Sequence, residues 1–147
     1  MLRQLLVGAS VTTCNVVIHA LVTVVVIRVA RVAVQRKAPH PWLGLASVMA
    51  AAALVLVVAH TLEVFVWAGA YMLVDAVAEG TDAFDFAFVN YTTLGYGDVT
   101  PVKEWRLLGP ITAMNGVLLF GWSTAVLFEV LRKTIELQSW LASSRDG

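Results

Sequence analysis

The stretch Thr92-Thr93-Leu94-Gly95-Tyr96-Gly97-Asp98, residues 92–98, decides how the rest of the chain is arranged. Its two glycines flank a tyrosine, and glycine adopts positive φ values that residues with a Cβ resist. A backbone that alternates between left-handed and right-handed residues can turn successive carbonyls to one side. The stretch therefore predicts a short non-helical segment with aligned carbonyl oxygens.

Composition indicates that lipid surrounds most of the chain. Of the 147 residues, 59% are hydrophobic and 14% are charged, whereas a soluble domain carries about 25% charged residues. The single cysteine, Cys14, excludes an intrachain disulfide. Because the sequence contains no nucleophile–base set and no nucleotide-binding loop, we expect neither an enzyme nor a nucleic-acid partner.

Three apolar runs are long enough to cross a bilayer, for which a helix needs about 20 residues. They cover residues 5–27, 43–74 and 107–131. The first run exceeds the apolar region of a secretory signal, and no small-residue cleavage pattern follows it. The predicted fold class is therefore an all-α membrane protein with three transmembrane helices.

The basic residues predict the orientation of these helices. Four of them occupy the first connection without an acidic residue: Arg28, Arg31, Arg36 and Lys37. The following segment, 38–41, contains two prolines and should break the helix. By the positive-inside rule this connection is cytoplasmic, which leaves the N-terminus outside and the C-terminus, after Arg132-Lys133, inside.

The connection between the second and third spans is acidic and is expected outside. Five acidic residues and no basic residue lie from Asp75 to Asp98. A ring of copies would attract cations, although a solvated acidic loop is by itself the better explanation. Thr81-Asp82 predicts the N-cap of a short helix over residues 84–91. Non-helical backbone at membrane depth is tolerated only inside protein or along a water-filled path, and carbonyls that face an ion satisfy this constraint.

The segment resembles the selectivity filter of the potassium channel superfamily, and in particular of its small prokaryotic members. Two threonines precede Gly-Tyr-Gly, an aspartate follows it, and a short helix and two spans flank it. The resemblance covers roughly Trp42 to Lys133. It implies a pore domain over 38–133, preceded by an extra transmembrane helix with its basic link over 1–37 and followed by a cytoplasmic tail over 134–147. Within the pore domain it implies an outer helix over 42–74, a re-entrant pore helix and filter over 81–98, and an inner helix over 107–131.

The resemblance also implies a function and the residues that perform it. Oxygens of four residues would bind K⁺, and Gly97 would complete the same filter strand; the four are Thr93, Leu94, Gly95 and Tyr96. Because one chain supplies one strand, the implied assembly is a homotetramer that conducts K⁺ passively across a bacterial inner membrane, with no cofactor other than the ions.

The chain departs from the family pattern around the filter. Leu94 replaces the commoner valine, while Thr92 would end the pore helix as usual. In some members a glutamate pairs with the aspartate that corresponds to Asp98, and Val89 stands at that position here. Phe86 replaces an indole that can also hold this aspartate. We therefore expect altered inactivation behaviour.

The third span carries candidate gate residues. Gly116 and Gly121 fall where inner helices of the family often have a hinge glycine and a second small residue. Close helix packing is an equal explanation for Gly116 and the favoured one for Gly121. The candidate cavity-lining residues are Phe120, Ser123, Thr124 and Phe128.

Ionisable residues in the first two spans leave several interpretations open. His60 and Glu63 share one helix face. They are candidate functional residues because they are ionisable and lie within a membrane span. A metal site would need a third ligand, for which His19 is the obvious choice. A buried hydrogen-bonded pair is therefore the preferred interpretation. A proton-sensitive role is a further possibility. Arg28 and Arg31 resemble a voltage sensor only faintly and are better explained as membrane anchors.

Two alternatives to selective K⁺ conduction remain at this point. One is a weakly selective cation channel, and the other is a non-conducting regulatory membrane subunit.

Overall fold

The computed structural model describes residues 1–35 and 40–143, which form α-helices, one short 3-10 helix and no strand. The helices are α1 (Leu2–Gln35), α2 (Pro41–Leu73), α3 (Ala83–Tyr91) and α4 (Leu108–Ser143), and the 3-10 turn is Lys103–Trp105. For the described residues, the predicted all-α fold is confirmed.

Three helices are long and apolar enough to cross a membrane. The candidate spans are Leu2–Ala33, Pro41–Leu73 and Lys103–Ser139, which confirms the three predicted spans. Such helices satisfy their own backbone hydrogen bonds, as a lipid environment demands. The chain is therefore a multi-pass membrane protein.

The helix ends differ in part from the sequence-based expectation. Pro41 is the first residue of α2, where its missing N–H has no helical partner to lose. The basic residues Arg36 and Lys37 and the predicted break at 38–39 lie outside the described residues.

The inner helix does not end near residue 131, because α4 continues to Ser143. The Arg132 guanidinium contacts Glu129 at 2.9 Å and Glu136 at 2.8 Å. Ion pairs three and four residues apart support a helix, and no Gly or Pro interrupts residues 122–146. Much of the predicted tail over 134–147 is therefore helical, while 144–147 lie outside the described residues.

The chain forms two compact units, of which the first combines Met1–His19 with Ala59–Gly121. Its buried core surrounds α3 and contains Trp67, Tyr71, Phe86, Tyr91 and Leu108. Tyr71 and Phe86 meet edge to face, with 5.0 Å between ring centroids. The N-terminal end of the chain is tied to this unit because the Gln4 Oε1 accepts a hydrogen bond from the Leu107 N–H at 2.9 Å.

The second unit combines Ala20–Val58 with the chain from Trp122 onward. Its core consists of small and branched side chains, which allow helices to approach closely in a membrane: Val26, Ala30, Val48, Ala52, Leu56, Val126 and Val130. The Gln138 side chain donates a hydrogen bond to the Pro41 carbonyl at 3.1 Å.

Candidate functional site

Residues 92–98 follow α3 directly and contain three left-handed residues in alternation. Thr92 is the C-cap of α3, and Thr93, Gly95 and Gly97 have φ values of 60°, 55° and 83°. The positive φ values expected for the two glycines are confirmed. Thr93 also adopts one, although a Cβ disfavours this region, and its side chain gave no signal of this in the sequence. Such alternation is the backbone pattern that can turn successive carbonyls to one side.

The N-terminal end of α3 is capped by a side chain. The Asp82 Oδ1 accepts hydrogen bonds from the N–H groups of Phe84 at 2.8 Å and Asp85 at 3.2 Å. These are backbone donors that a helix start leaves unpaired. The predicted N-cap at Asp82 is therefore confirmed.

The C-terminal end of α3 holds the start of the 92–98 segment. The Thr93 N–H donates to the Asn90 carbonyl and the Leu94 N–H to the Val89 carbonyl, each at 3.0 Å. The Thr92 hydroxyl donates to the Phe88 carbonyl at 2.8 Å. Because these bonds run back onto the helix, the orientation of α3 determines where the segment begins.

Helix α4 approaches this end of α3 through two glycines. A Cβ added to Gly116 would overlap the carbonyl oxygen of Tyr91, and one added to Gly109 would lie 3.1 Å from the Asn90 Oδ1. Gly116 thus allows the backbones of α3 and α4 to meet. Close packing, one of the two interpretations of this glycine, has a direct contact in the structure.

The two positions at which Asp98 lacks the family's usual partners line one cavity of about 280 Å³ beside α3. Phe86 and Val89 face it from the helix, and Tyr96 and Asp98 face it from the 92–98 segment. Asp98 is exposed, and its Oδ1 accepts a hydrogen bond from the Val99 N–H at 3.1 Å. The structure therefore brings Phe86 and Val89, two of the positions at which the sequence departs from the family pattern, to the same cavity as Asp98.

The acidic residues of the connection are all exposed in the described chain: Asp75, Glu79, Asp82, Asp85 and Asp98. Exposed carboxylates create a negative potential that raises the local concentration of cations.

A polar cluster lies inside the first unit, behind the last turn of α3. The Glu63 Oε1 lies 2.8 Å from the His19 Nδ1, and the Glu63 Oε2 lies 3.0 Å from the His60 Nδ1. The Tyr91 hydroxyl donates a hydrogen bond to the same Oε2 at 2.5 Å. His19 and Glu63 are fully buried, and the His60 side chain is 16% exposed. Residues of α1, α2 and α3 therefore meet at one carboxylate.

A second buried network joins α1, α2 and α4. The Asn115 Oδ1 accepts hydrogen bonds from the Asn15 Nδ2 at 2.9 Å and from the Trp67 Nε1 at 2.8 Å. The Asn15 Nδ2 also lies 3.2 Å from the Glu63 carbonyl. Through Asn15, the buried polar side of α1 therefore contacts both α2 and α4.

Sequence reasoning missed Tyr91, Trp67 and Asn115 as polar partners. Asn115 offered a signal, since a carboxamide inside a span usually faces protein rather than lipid. Tyr91 and Trp67 carried no such signal. In sequence, an aromatic residue that makes a buried hydrogen bond looks the same as one that lies at the membrane interface or only packs in the core.

The remaining gate candidates of α4 lie in different surroundings. Phe120 packs on the His60 ring, with 4.7 Å between centroids, and on Tyr91 at 5.4 Å. Ser123 is buried, whereas Gly121, Thr124 and Phe128 are exposed in the single chain. Of the candidate cavity-lining residues, Thr124 and Phe128 thus lie on the surface of the single chain.

Comparison with known proteins places most of this arrangement in one family. A search of curated proteins and a search of solved structures returned no significant match. A protein-family model described as an ion channel matches residues 47–133. The match covers α3 and the 92–98 segment and extends over most of α2 and α4. Because it spans more than half of the 147 residues, the chain belongs to this ion channel family.

Proposed function

We propose that the chain is one subunit of a homotetrameric, K⁺-selective channel. The observation that carries the proposal is the alternation of positive φ at Thr93, Gly95 and Gly97, within a Thr-Thr-Leu-Gly-Tyr-Gly-Asp segment of an ion channel family member. Four such segments around one axis form a ring of carbonyl oxygens that replaces the hydration shell of K⁺.

The mechanism uses the backbone more than the side chains. The carbonyls of Thr93, Leu94, Gly95 and Tyr96, together with the Thr93 hydroxyl, offset the cost of dehydrating the ion. Ions in adjacent sites repel one another, so an entering ion displaces the next, and no other cofactor is needed. Gly97 continues the strand, and the exposed carboxylates before α3 concentrate cations at the entrance.

The supporting roles follow from the contacts of α3. Thr92 ends the helix at the inner end of the filter, and Asp98 lies beside the cavity lined by Val89 and Phe86. The replacement of a carboxyl by Val89 removes a partner that could brace Asp98. Selectivity is therefore preserved in this proposal, while the stability of the conducting filter over time is altered.

The inner helix and the location complete the proposal. Gly116, Phe120 and Gly121 are the candidate gate and hinge residues of α4. By the positive-inside rule, the basic residues at the end of α1 and in the link after it, together with Arg132-Lys133, favour a cytoplasmic position for both regions and an outside position for the N-terminus. The proposed location is the inner membrane of a bacterium.

Reconstitution of the purified chain in liposomes tests this function. Cation flux and reversal potential are measured in opposing K⁺ and Na⁺ gradients, and we expect a reversal potential close to the K⁺ equilibrium value. A reversal potential near zero identifies a weakly selective cation channel. Absence of flux identifies a non-conducting subunit. Either result refutes selective conduction.

A further inference from the structure

Three side chains in the first unit bring metal-ligand atoms to one place that the conduction mechanism does not use. His19 comes from α1, and His60 and Glu63 come from α2. Each offers one ligand atom, and these atoms all lie within 4.8 Å of one another. His60 and Glu63 share a face because they are three residues apart on a helix, and His19 approaches their carboxylate from a second helix.

We propose that His19, His60 and Glu63 form a binding site for one divalent transition-metal ion of the Zn²⁺ type in each chain. Two imidazole nitrogens and one carboxylate are a ligand set that Zn²⁺ accepts in sites with three protein ligands. K⁺ binds to carbonyl and hydroxyl oxygens in the proposed filter, whereas imidazole favours Zn²⁺, Cu²⁺ and related ions. The two sites are therefore chemically distinct.

Two of the three distances between ligand atoms require only a small adjustment to admit an ion, and the farthest pair, within 4.8 Å, would draw together by up to about 1.4 Å. Bonds from Zn²⁺ to nitrogen or oxygen are about 2.0–2.2 Å, so neighbouring tetrahedral ligands lie about 3.4 Å apart. The His19–Glu63 and His60–Glu63 contacts, at 2.8 and 3.0 Å, would each widen by about 0.5 Å. The ion would take the place of the protons that these contacts now share, because metal ligands bind in their deprotonated forms.

The surroundings of the cluster also suit a bound cation. Glu63 is fully buried in a membrane-spanning helix, where a carboxylate needs a compensating partner. The Tyr91 hydroxyl donates to the Glu63 Oε2 at 2.5 Å and lies 3.0 Å from the His60 Nδ1, where it would orient both ligands as outer partners of metal ligands usually do. Access is possible through His60, whose side chain is 16% exposed.

The test uses the full chain, purified in detergent with an affinity tag that contains no histidine. After removal of metals with a chelator, the protein is titrated with Co²⁺ or Zn²⁺. We expect one ion per chain and, for Co²⁺, visible absorption typical of low coordination number. His19→Gln and His60→Gln should each weaken binding by at least about tenfold.

The matched control is His40→Gln, which removes the third histidine of the chain at an exposed position outside the cluster. It should leave binding unchanged. Equal weakening by all three substitutions would show adventitious surface binding and overturn the proposal, as would wild-type protein that binds no ion. Because these readouts do not involve ion flux, they are independent of the proposed conduction.

A measurement on the unaltered chain covers the case in which the His19 variant does not fold. X-ray absorption of the Zn²⁺-loaded protein should show nitrogen and oxygen ligands with the scattering pattern of two imidazoles. A sulfur ligand would assign the ion to Cys14, the only cysteine, and would refute the proposed site. Fewer than two imidazoles would refute it as well.

Discussion

At the scale of single residues, Gly95 and Gly80 share a left-handed backbone but lie at different places. Their φ values are 55° and 83°, and an added Cβ would meet no close atom at either position. A Cβ in this conformation costs about 1–2 kcal/mol at each position. Alanine substitutions at the two glycines therefore distinguish the effect of backbone strain elsewhere in the chain from the effect of strain in the proposed filter.

We predict that Gly95→Ala disrupts selectivity and that Gly80→Ala does not. Relief of the strain at Gly95 would turn its carbonyl away, and the permeability ratio of K⁺ to Na⁺ should fall by about tenfold or more, since 1.4 kcal/mol corresponds to a factor of ten. Reversal potentials of reconstituted protein give this ratio. An unchanged ratio in Gly95→Ala would remove the filter assignment.

Val89 lies on the cavity that Asp98 also lines. Val89→Glu places a carboxyl where it can share a proton with Asp98, and a hydrogen bond to a charged group contributes about 1.5–3 kcal/mol. We therefore predict that the rate at which the current decays during sustained opening changes by about tenfold. The measurement is a macroscopic current in planar bilayers.

Val89→Gln is the control for this substitution, because it has the size of glutamate without its acidic proton. It should change the decay less than Val89→Glu does. If Val89→Glu leaves the time course as it is in the wild type, the altered support of Asp98 has no effect on inactivation.

At the scale of secondary-structure elements, the contact between α3 and α4 depends on the absence of a side chain at Gly116. Gly116→Ala would force the Tyr91 carbonyl and α4 apart, and overpacking of this kind costs about 1–3 kcal/mol. We predict a thermal unfolding midpoint several degrees lower in detergent, followed by circular dichroism.

Gly69→Ala in α2 is the control, since an added Cβ there has no atom within 4 Å in the described chain. Its midpoint should equal or slightly exceed that of the wild type, because alanine favours a helix. Equal midpoints for Gly116→Ala and Gly69→Ala would contradict the close approach of α3 and α4.

The start of α3 depends on its cap. Asp82→Ala removes the acceptor of two backbone hydrogen bonds, and loss of such a cap costs about 1 kcal/mol. We predict faster amide hydrogen exchange in the first turn of α3 and a lower unfolding midpoint. The control, Glu79→Ala, removes an equal charge from an exposed position and should change neither the amide exchange of α3 nor the unfolding midpoint. If Glu79→Ala had the same effect as Asp82→Ala, the loss of charge and not the loss of the cap would explain the result.

At the scale of the whole molecule, a single chain leaves many large apolar side chains exposed. In α4 they include Met114, Val117, Leu118 and Phe128, each more than half exposed. Lipid covers such surfaces in a membrane protein, and neighbouring subunits cover part of them in an assembly. In the proposed function each chain supplies one filter strand, and a closed ring of such strands would bring neighbouring chains against some of these faces.

We predict an assembly of four chains. Chemical cross-linking of the detergent-solubilised protein should give a ladder that ends at the tetramer, and light scattering should give the matching mass. A ladder that ends at one or two chains would exclude a closed ring of four filter strands and with it the proposed mechanism of conduction.

The sequence by itself was sufficient to predict the features that depend on residues close together along the chain. The three spans follow from uninterrupted apolar runs, because a helix in lipid needs only its own backbone bonds. The cap at Asp82 and the positive φ of Gly95 and Gly97 follow from residue types within a few positions. The continuation of α4 to Ser143 was missed, since a hydropathy boundary marks the membrane edge and not the end of the helix.

Only the tertiary structure decided which distant residues meet. His19 and Glu63 are separated by 44 residues and Asn15 and Asn115 by 100, and their pairing depends on the rotation of each helix about its axis. A nearly uniform apolar helix carries little sequence information about that rotation, because lipid and protein partners attract its faces almost equally. For the same reason, Tyr91 could not be recognised as a partner of Glu63, nor the Tyr91 carbonyl as the atom that Gly116 accommodates, until the helices were packed.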